Sequence, residues 1–407
     1  MGTSLAEAPV AHPVPVQGAV AVGGDLPLQG PWEALGPDLV ATTLLWSVMS
    51  LYIAGGLYWL FEIAVYGWRY EDPERVYGSD DVQVRFLTID AESVVQRSVD
   101  RLPEELTDRY VVAEEPMDIA GSEVAVVPDS FECSATNKGR ALEWARRTLD
   151  CEAEFVLYLD EDSHVMEFAG LPDADIVQLS EHPRRTSSLL TYLAEVTRIG
   201  FQAEQRAFPS ITVPLYAWGG GLAIRQSLEA EVTWDYPTVI EDTVFLWRAY
   251  VEADATFSYV TDQVSNQAPP SVGAMFRQRR RWIAGAREDN SILSIDRVLM
   301  YGIRDLSWSV TAFIPALVVL SFVPVVDLYF FEAYRLVSFV LLGMLLLWAV
   351  LGVYLHQPKR RIAVLCLLLA PITTVLHSAG ALWGLLSPPE TFEVTEKVDQ
   401  EDDSHGL

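Results

Sequence analysis

Four stretches run nearly free of polar residues for about the length a bilayer requires: 39–66, 308–331, 336–356 and 362–386. A hydrocarbon core of about 30 Å asks for roughly 20 apolar residues in a helix, so each is expected to span a membrane or nearly so. Glu62 and Asp327 fall near the ends of the first two stretches, where a side chain can reach the interface. Neither needs a functional role on that reading, although intramembrane carboxylates as a class mark functional sites. Pro315 and Pro324 can break the second stretch and change the count.

Between the first and second stretches the pattern changes. Short β-branched runs at 82–89, 110–113, 123–127 and 155–159 are each followed by a turn or helical segment, the first such helix opening at Glu92 and ending near Arg101. This predicts an α/β domain whose ligands collect at the carboxyl ends of its strands. The expected division is a disordered tail over 1–37, a transmembrane helix over 38–68, the folded domain over 69–300, a transmembrane region of about three helices over 301–388, and an acidic tail over 389–407. The first 35 residues have neither a basic nor an apolar signal region, and their Ala, Pro, Gly and Val content reads as disorder.

Half of the residues are hydrophobic, more than a soluble fold needs. Against 28 Lys and Arg stand 56 Asp and Glu, a formal charge of −28, which argues against nucleic acid as a partner. Such an excess also fits a halophile's protein, because counterions screen the repulsion while the charge maintains solubility; an ordinary acidic surface is the plainer alternative. Cys133, Cys151 and Cys366 are too few and too scattered for a disulfide framework or a zinc site.

Chemistry concentrates at three places. The apolar run at 155–159 leads straight into Asp160, Glu161 and Asp162. Alternation along a strand puts Asp160 and Asp162 on one side at its carboxyl end. Two carboxylates there are explained if they share a hard cation, Mg2+ or Mn2+, whose other ligands are phosphate oxygens, with His164 a possible third protein ligand; the alternative is a solvated acidic turn. Glu241 and Asp242 open an apolar helical run over 243–250. They can cap that helix, or Asp242 can serve as general base toward a hydroxyl. Gln278, Arg279, Arg280, Arg281 and Trp282 form a basic cluster ending in an indole. Guanidiniums can grip a diphosphate while the indole stacks on a sugar; equally, a basic patch before a span can rest on anionic headgroups. Lys138 and Arg140, at a predicted helix start, are phosphate candidates or ordinary solvated side chains. Gly219, Gly220 and Gly221 after Trp218 allow close backbone approach or form a plain loop.

In this order and spacing the residues resemble the membrane-embedded family 2 glycosyltransferases, a group that includes cellulose and hyaluronan synthases and egghead-type β-mannosyltransferases. Asp160, Glu161 and Asp162 match the family's DxD, Glu241 and Asp242 its acid-Asp pair, and residues 278–282 its Q(Q/R)xRW; residues 392–397 are similar to the FxVTxK loop that closes over the donor. The resemblance implies a GT-A-type, Rossmann-like domain over 69–300 with flanking transmembrane helices. It also implies an inverting, metal-dependent displacement from a nucleotide-sugar donor to a lipid-linked or growing glycan acceptor, at a multi-pass cell-membrane protein with a cytoplasmic domain and membrane lipids around it. By carry-over Asp160 and Asp162 hold the metal and, with Lys138, Arg140, Gln278 and Arg281, the donor; Asp242 is the base beside Glu241; Trp282 and Trp218 line the acceptor site. Alternatives are transfer to a polyprenyl phosphate and a catalytically silent membrane scaffold. Where the family has an Asp-rich turn that reads the donor base, this chain has Glu114, Glu115 and Pro116, which leaves the nucleotide open. The basic residues 359–361 are expected on the cytoplasmic side, which puts the C-terminus outside and conflicts with a donor-closing role for 392–397. Four spans are few for a wide polymer channel, which points to limited addition.

Overall fold

A computed structural model of the chain describes residues 36–211, 213–323, 328–389, 397 and 398. Helix α1 (Pro37–Glu62) continues into one wider turn over Ile63–Gly67. The domain then runs β1 (Val82–Thr88), α2 (Glu92–Asp100), β2 (Arg109–Ala113), β3 (Glu123–Val126), α3 (Lys138–Thr148), β4 (Phe155–Asp160) and β5 (His164–Val165). It continues through β6 (Ile176–Arg184), α4 (Leu189–Gln202), β7 (Leu222–Arg225), α5 (Gln226–Val232), α6 (Glu241–Ala253), β8 (Phe257–Gln267) and α7 (Val272–Asp289). Helices α8 (Ile295–Val310), α9 (Ile314–Leu320), α10 (Phe331–His356) and α11 (Arg360–Leu386) follow.

The strands form one mixed sheet in the order β3-β2-β1-β4-β7-β6-β8-β5. β1 lies parallel to β2 on one side and to β4 on the other. The chain winds outward from β1 to β3 and returns past β1 to lay down β4, so the strand order reverses at the β1/β4 seam, where such sheets leave a crevice beyond their carboxyl ends. β4 is buried on both faces: Val156 and Tyr158 belong to one core, Phe155, Leu157 and Leu159 to the other. Its first acid, Asp160, therefore emerges at the mouth of that crevice.

Among the described residues, four helices are long and apolar enough to cross a membrane: Pro37–Gly67, Ile295–Leu320, Phe331–His356 and Arg360–Leu386. The second differs in its bounds from the 308–331 stretch expected. It starts earlier, because Arg304 pairs with Glu204 of the domain instead of meeting lipid, and it is interrupted over Thr311–Phe313 before restarting with Pro315 in its first turn. Pro324 and Asp327 lie outside the described residues. Glu62 does not reach for the interface as expected: it is buried, accepts a hydrogen bond from the Tyr58 hydroxyl at 2.5 Å, and lies beside Glu204 and Arg304.

Where the basic loop led to the C-terminus being expected away from the domain, the described Lys397 lies against Asp162. At the start of α11, Ile362 and Cys366 pack with Leu193 and Val196 of α4, and just before it His356, the last residue of α10, lies on His182 of β6 with ring centroids 4.0 Å apart and shares a 2.8 Å hydrogen bond with Tyr192. At its end, Arg280 and Arg287 of α7 donate to the carbonyls of Ser387 at 2.7 Å and Leu385 at 3.1 Å. Both ends of α11 thus touch the domain. Hydropathy counts apolar residues without knowing which face they occupy; here Thr374, His377, Ser378, Gly380 and Gly384 are turned inward.

Helix α4 packs on α10 through glycines. A methyl group at Gly200 would stand 2.1 Å from the Trp348 carbonyl oxygen and 2.8 Å from the Gly352 nitrogen. Both are backbone atoms, so no rotamer relieves the clash. Gly200→Ala is expected to destabilise the protein by about 2–3 kcal/mol, seen as a lowered melting point in detergent, whereas Gly302→Ala, with nothing within 4 Å of its added carbon, should leave melting unchanged or raise it.

Candidate active site

Three elements converge beyond the β1/β4 seam. Lys138, the first residue of α3, places its Nζ 2.8 Å from Asp160 Oδ1 at the end of β4. The same nitrogen is 3.6 Å from Asp242 Oδ1 and 3.7 Å from Glu241 Oε1 at the start of α6. Neither acid caps its helix; the N-cap position is Ile240 and carries no side-chain cap bond. Burial alone would depress Lys138, yet the surrounding carboxylates of Asp160, Asp242 and Glu241 hold its ammonium above the ordinary lysine range. Burial opposes ionisation of Asp160 too, but Lys138 and Lys397 bring its carboxyl below the usual range. Asp242 goes the other way: burial pushes it up to about 7, against the pull of Lys138 and aided by Glu241 and Asp160.

Asp162 is fully buried behind this rim. Its Oδ1 accepts from Lys397 Nζ at 2.6 Å and its Oδ2 from the Gln267 N–H at 2.7 Å, while Gln267 also exchanges hydrogen bonds with the Val398 backbone. Lys397, the last residue of the FxVTxK-like segment, is therefore at the site, although 392–396 lie outside the described residues. Glu161 turns aside to accept from the Thr88 hydroxyl at 2.7 Å.

Other expected residues divide. His164 does not join the carboxylates: it sits 3.0 Å from Arg101, and burial together with Arg184, Arg101 and Arg97 brings its ring down to about 2, so it carries no charge. Arg140 is committed to Glu114 at 2.7 Å and to the Pro128 and Phe131 carbonyls, one step back from the cavity that Glu114 lines. The three consecutive arginines point three ways, as a helix turning about 100° per residue requires. Arg279 is buried against Glu195, His377 and the Trp282 ring; Arg280 tethers the end of α11; Arg281 faces the cavity and the charges of Glu241, Asp160 and Asp242. Gln278, Trp282 and Trp218 line the same cavity.

That cavity, of about 680 Å³, extends from Thr88 and Asp160 past Asp242 and Trp282 to Trp59, Arg304, Trp308 and His377 between the membrane helices. The membrane end was missed because an apolar stretch reads as lipid-facing. Arg304, His377 and the indoles of Trp59 and Trp308 were the signal available.

Residues 155–376 match the profile of glycosyl transferase family group 2, more than half of the chain and from the first residue of β4 onward. The chain belongs to that family. This family 2 glycosyltransferase is similar to the beta-1,4-mannosyltransferase egh of Drosophila melanogaster, 23% identical over 306 residues that make up 67% of this chain and 66% of the fly protein, a little under two thirds of its length. Among solved structures it resembles the mannosyltransferase PcManGT from Pyrobaculum calidifontis in complex with GDP-Man and Mn2+, with 12% identity and a TM-score of 0.46 over 83% of this chain and 99% of that one. It also resembles glucosyl-3-phosphoglycerate synthase from Mycobacterium tuberculosis in complex with Mn2+, UDP and glucosyl-3-phosphoglycerate, with 14% identity and a TM-score of 0.34 over 53% and 81% of the two chains. The transferase's mixed sheet, covered by helices on both faces, is the GT-A-type arrangement its motifs implied.

Proposed function

We propose that this transferase moves a sugar from a nucleotide-sugar, by a single inverting displacement, to a hydroxyl of a lipid-linked or growing glycan at the membrane. What supports this most is the convergence of the DxD acid Asp160 and the Glu241–Asp242 pair on one lysine, in a cavity that Trp282 and Trp218 also line. The Asp242 carboxylate takes the acceptor hydroxyl's proton as that oxygen bonds to the anomeric carbon, and the bond from that carbon to the diphosphate oxygen breaks on the opposite face. Lys138, Lys397 and Arg281 supply positive charge for the diphosphate, and Trp282 offers its face to the acceptor sugar.

A divalent cation fits the charges present. Asp160, Glu161, Asp162, Glu241 and Asp242 carry five negative charges when ionised, against three positive ones on Lys138, Lys397 and Arg281. The excess is two, before the donor adds its own. Asp160 and Asp162 would hold Mg2+ or Mn2+, the latter acid once Lys397 is released, and when bound the ion supplies charge stabilisation at the leaving group. Glu114, which lines the cavity beyond β2, is our candidate to meet the donor base.

The test is nucleotide release by the purified full chain in detergent and high salt from a panel of GDP- and UDP-sugars, with GDP-mannose first because the fly relative is a mannosyltransferase. Release from one donor, falling on the order of a hundredfold on chelation, is expected. Mn2+ binding in the presence of nucleotide diphosphate, read by electron paramagnetic resonance, should weaken in Asp160→Asn. No release from any donor, with or without a glycan acceptor, would sink the reading.

A further inference from the structure

The basic cluster at 278–282 contains an arginine that the proposed transfer does not use. Arg279 lies on the same side of α7 as Trp282, three residues on, and meets the side of α4 that carries Glu195 and Arg198, also three residues apart. Four charges are buried together there: Glu181, Glu195, Arg198 and Arg279 are 7%, 3%, 8% and 0% exposed. They form a chain. Glu181 on β6 pairs with Arg198 at 2.6 Å, and its oxygens also accept from the Gln202 amide at 2.7 Å and the Asn266 amide at 2.8 Å. Glu195 pairs with Arg198 through Oε2 at 2.5 Å and with Arg279 through Oε1. Two negative and two positive charges cancel, which burial this deep demands. The chain ends at the cavity wall. The Arg279 guanidinium lies 4.1 Å from the centre of the Trp282 ring and donates to Gln278 Oε1 at 2.7 Å, and Gln278 and Trp282 both line the cavity. Arg279, fully buried, therefore backs the indole and leaves the rest of the ring to the cavity. Among the described residues Glu195 is the one carboxylate in an ion pair with Arg279, whereas Arg198 has Glu181 as well. Burial brings the Arg279 guanidinium down to about 10 against the pull of Glu195. The charge behind the indole thus depends on that carboxylate.

We infer that Glu195 is a positioning residue: by holding Arg279 behind the Trp282 indole and against Gln278, it fixes the plane on which the acceptor sugar stacks. This rests on the transfer reading above for the sugar, while the setting of the ring is measured without transfer. The full chain, labelled with 5-fluorotryptophan and kept in detergent, is followed by fluorine NMR, the Trp282 resonance being the one lost in Trp282→Ala. Glu195→Gln, which retains the side chain's shape but removes the charge that holds Arg279, should move that resonance. With methyl glucoside and methyl mannoside as acceptor probes, it should raise the acceptor KM about tenfold, the worth of one aromatic stacking contact, and leave the donor KM unchanged. Glu195→Asp, which retains the charge on a shorter stem and guards against misfolding, should do both part of the way. Added to Trp282→Ala, Glu195→Gln should raise the acceptor KM no further, because its effect passes through that ring. Three results would overturn the inference: an unmoved Trp282 resonance in the folded variants, an effect on the acceptor KM that is equally large without Trp282, or a donor KM that rises as much as the acceptor's. Failure of nucleotide release from every donor would remove the transfer reading, and a moved resonance would still support Glu195 as the group that sets the ring.

Discussion

Asp242→Asn is expected to lower transfer by about three orders of magnitude while donor affinity changes by no more than a few-fold, because a general base contributes on the order of 10²–10⁴ to rate and little to ground-state binding. The substitution retains the side chain's shape and leaves Lys138 bound to Asp160 at 2.8 Å, so the donor-facing rim survives. The pH profile offers a second readout. A base works only deprotonated, and burial holds Asp242 near 7 rather than at the usual carboxylate value. The limiting slope of kcat/KM below that point is therefore about tenfold per pH unit, with a plateau above it, and this limb should vanish from whatever activity the Asn variant retains. Transfer by Asp242→Asn above about a tenth of the parent, or an unchanged acid limb, would assign the proton to another group.

How much of this could be read along the chain depended on how local the cause was. Phe155 to Leu159 are apolar without a break, so β4 had to be a buried strand, and the acids that follow had to surface at its carboxyl end. Lys138 and Asp242 were each legible as candidates with a plain alternative. Only the fold, by bringing the starts of α3 and α6 to one strand end, makes them a single group. The three arginines at 279–281 could not be divided from composition, because their fates depend on which side of α7 meets Glu195, the end of α11 or the cavity. Lys397 illustrates the opposite failure. Its motif was visible, but the basic loop at 359–361 argued against its reaching the site, since a window average carries no information on where a helix's ends pack. The membrane end of the cavity was illegible for a related reason: Trp59 and Trp308 look like lipid-facing residues until the fold shows them lining a space.

Gly219→Ala is expected to be nearly silent in stability and severe in activity. A methyl group at 219 would lie 2.2 Å from Lys138 Nζ and 2.6 Å from each carboxylate oxygen of Asp242. All three are ends of side chains rather than backbone, so the fold can accommodate the methyl by swinging them aside, unlike the backbone clash at Gly200. Those same atoms are what joins the DxD strand to the proposed base. A displacement of about 1 Å at a reacting group costs on the order of 10²-fold in rate, and here Lys138 and Asp242 must both move. Thermal melting of Gly219→Ala should therefore stay close to that of the parent while kcat/KM for transfer falls at least about a hundredfold. Moving the ammonium away also relieves Asp242 of the positive neighbour that opposes its burial, so the acid limb of any remaining activity should shift to higher pH. A stable variant with near-parental activity would show that the close approach of Gly219 to these two side chains is packing alone, and would detach Lys138 and Asp242 from the reacting centre.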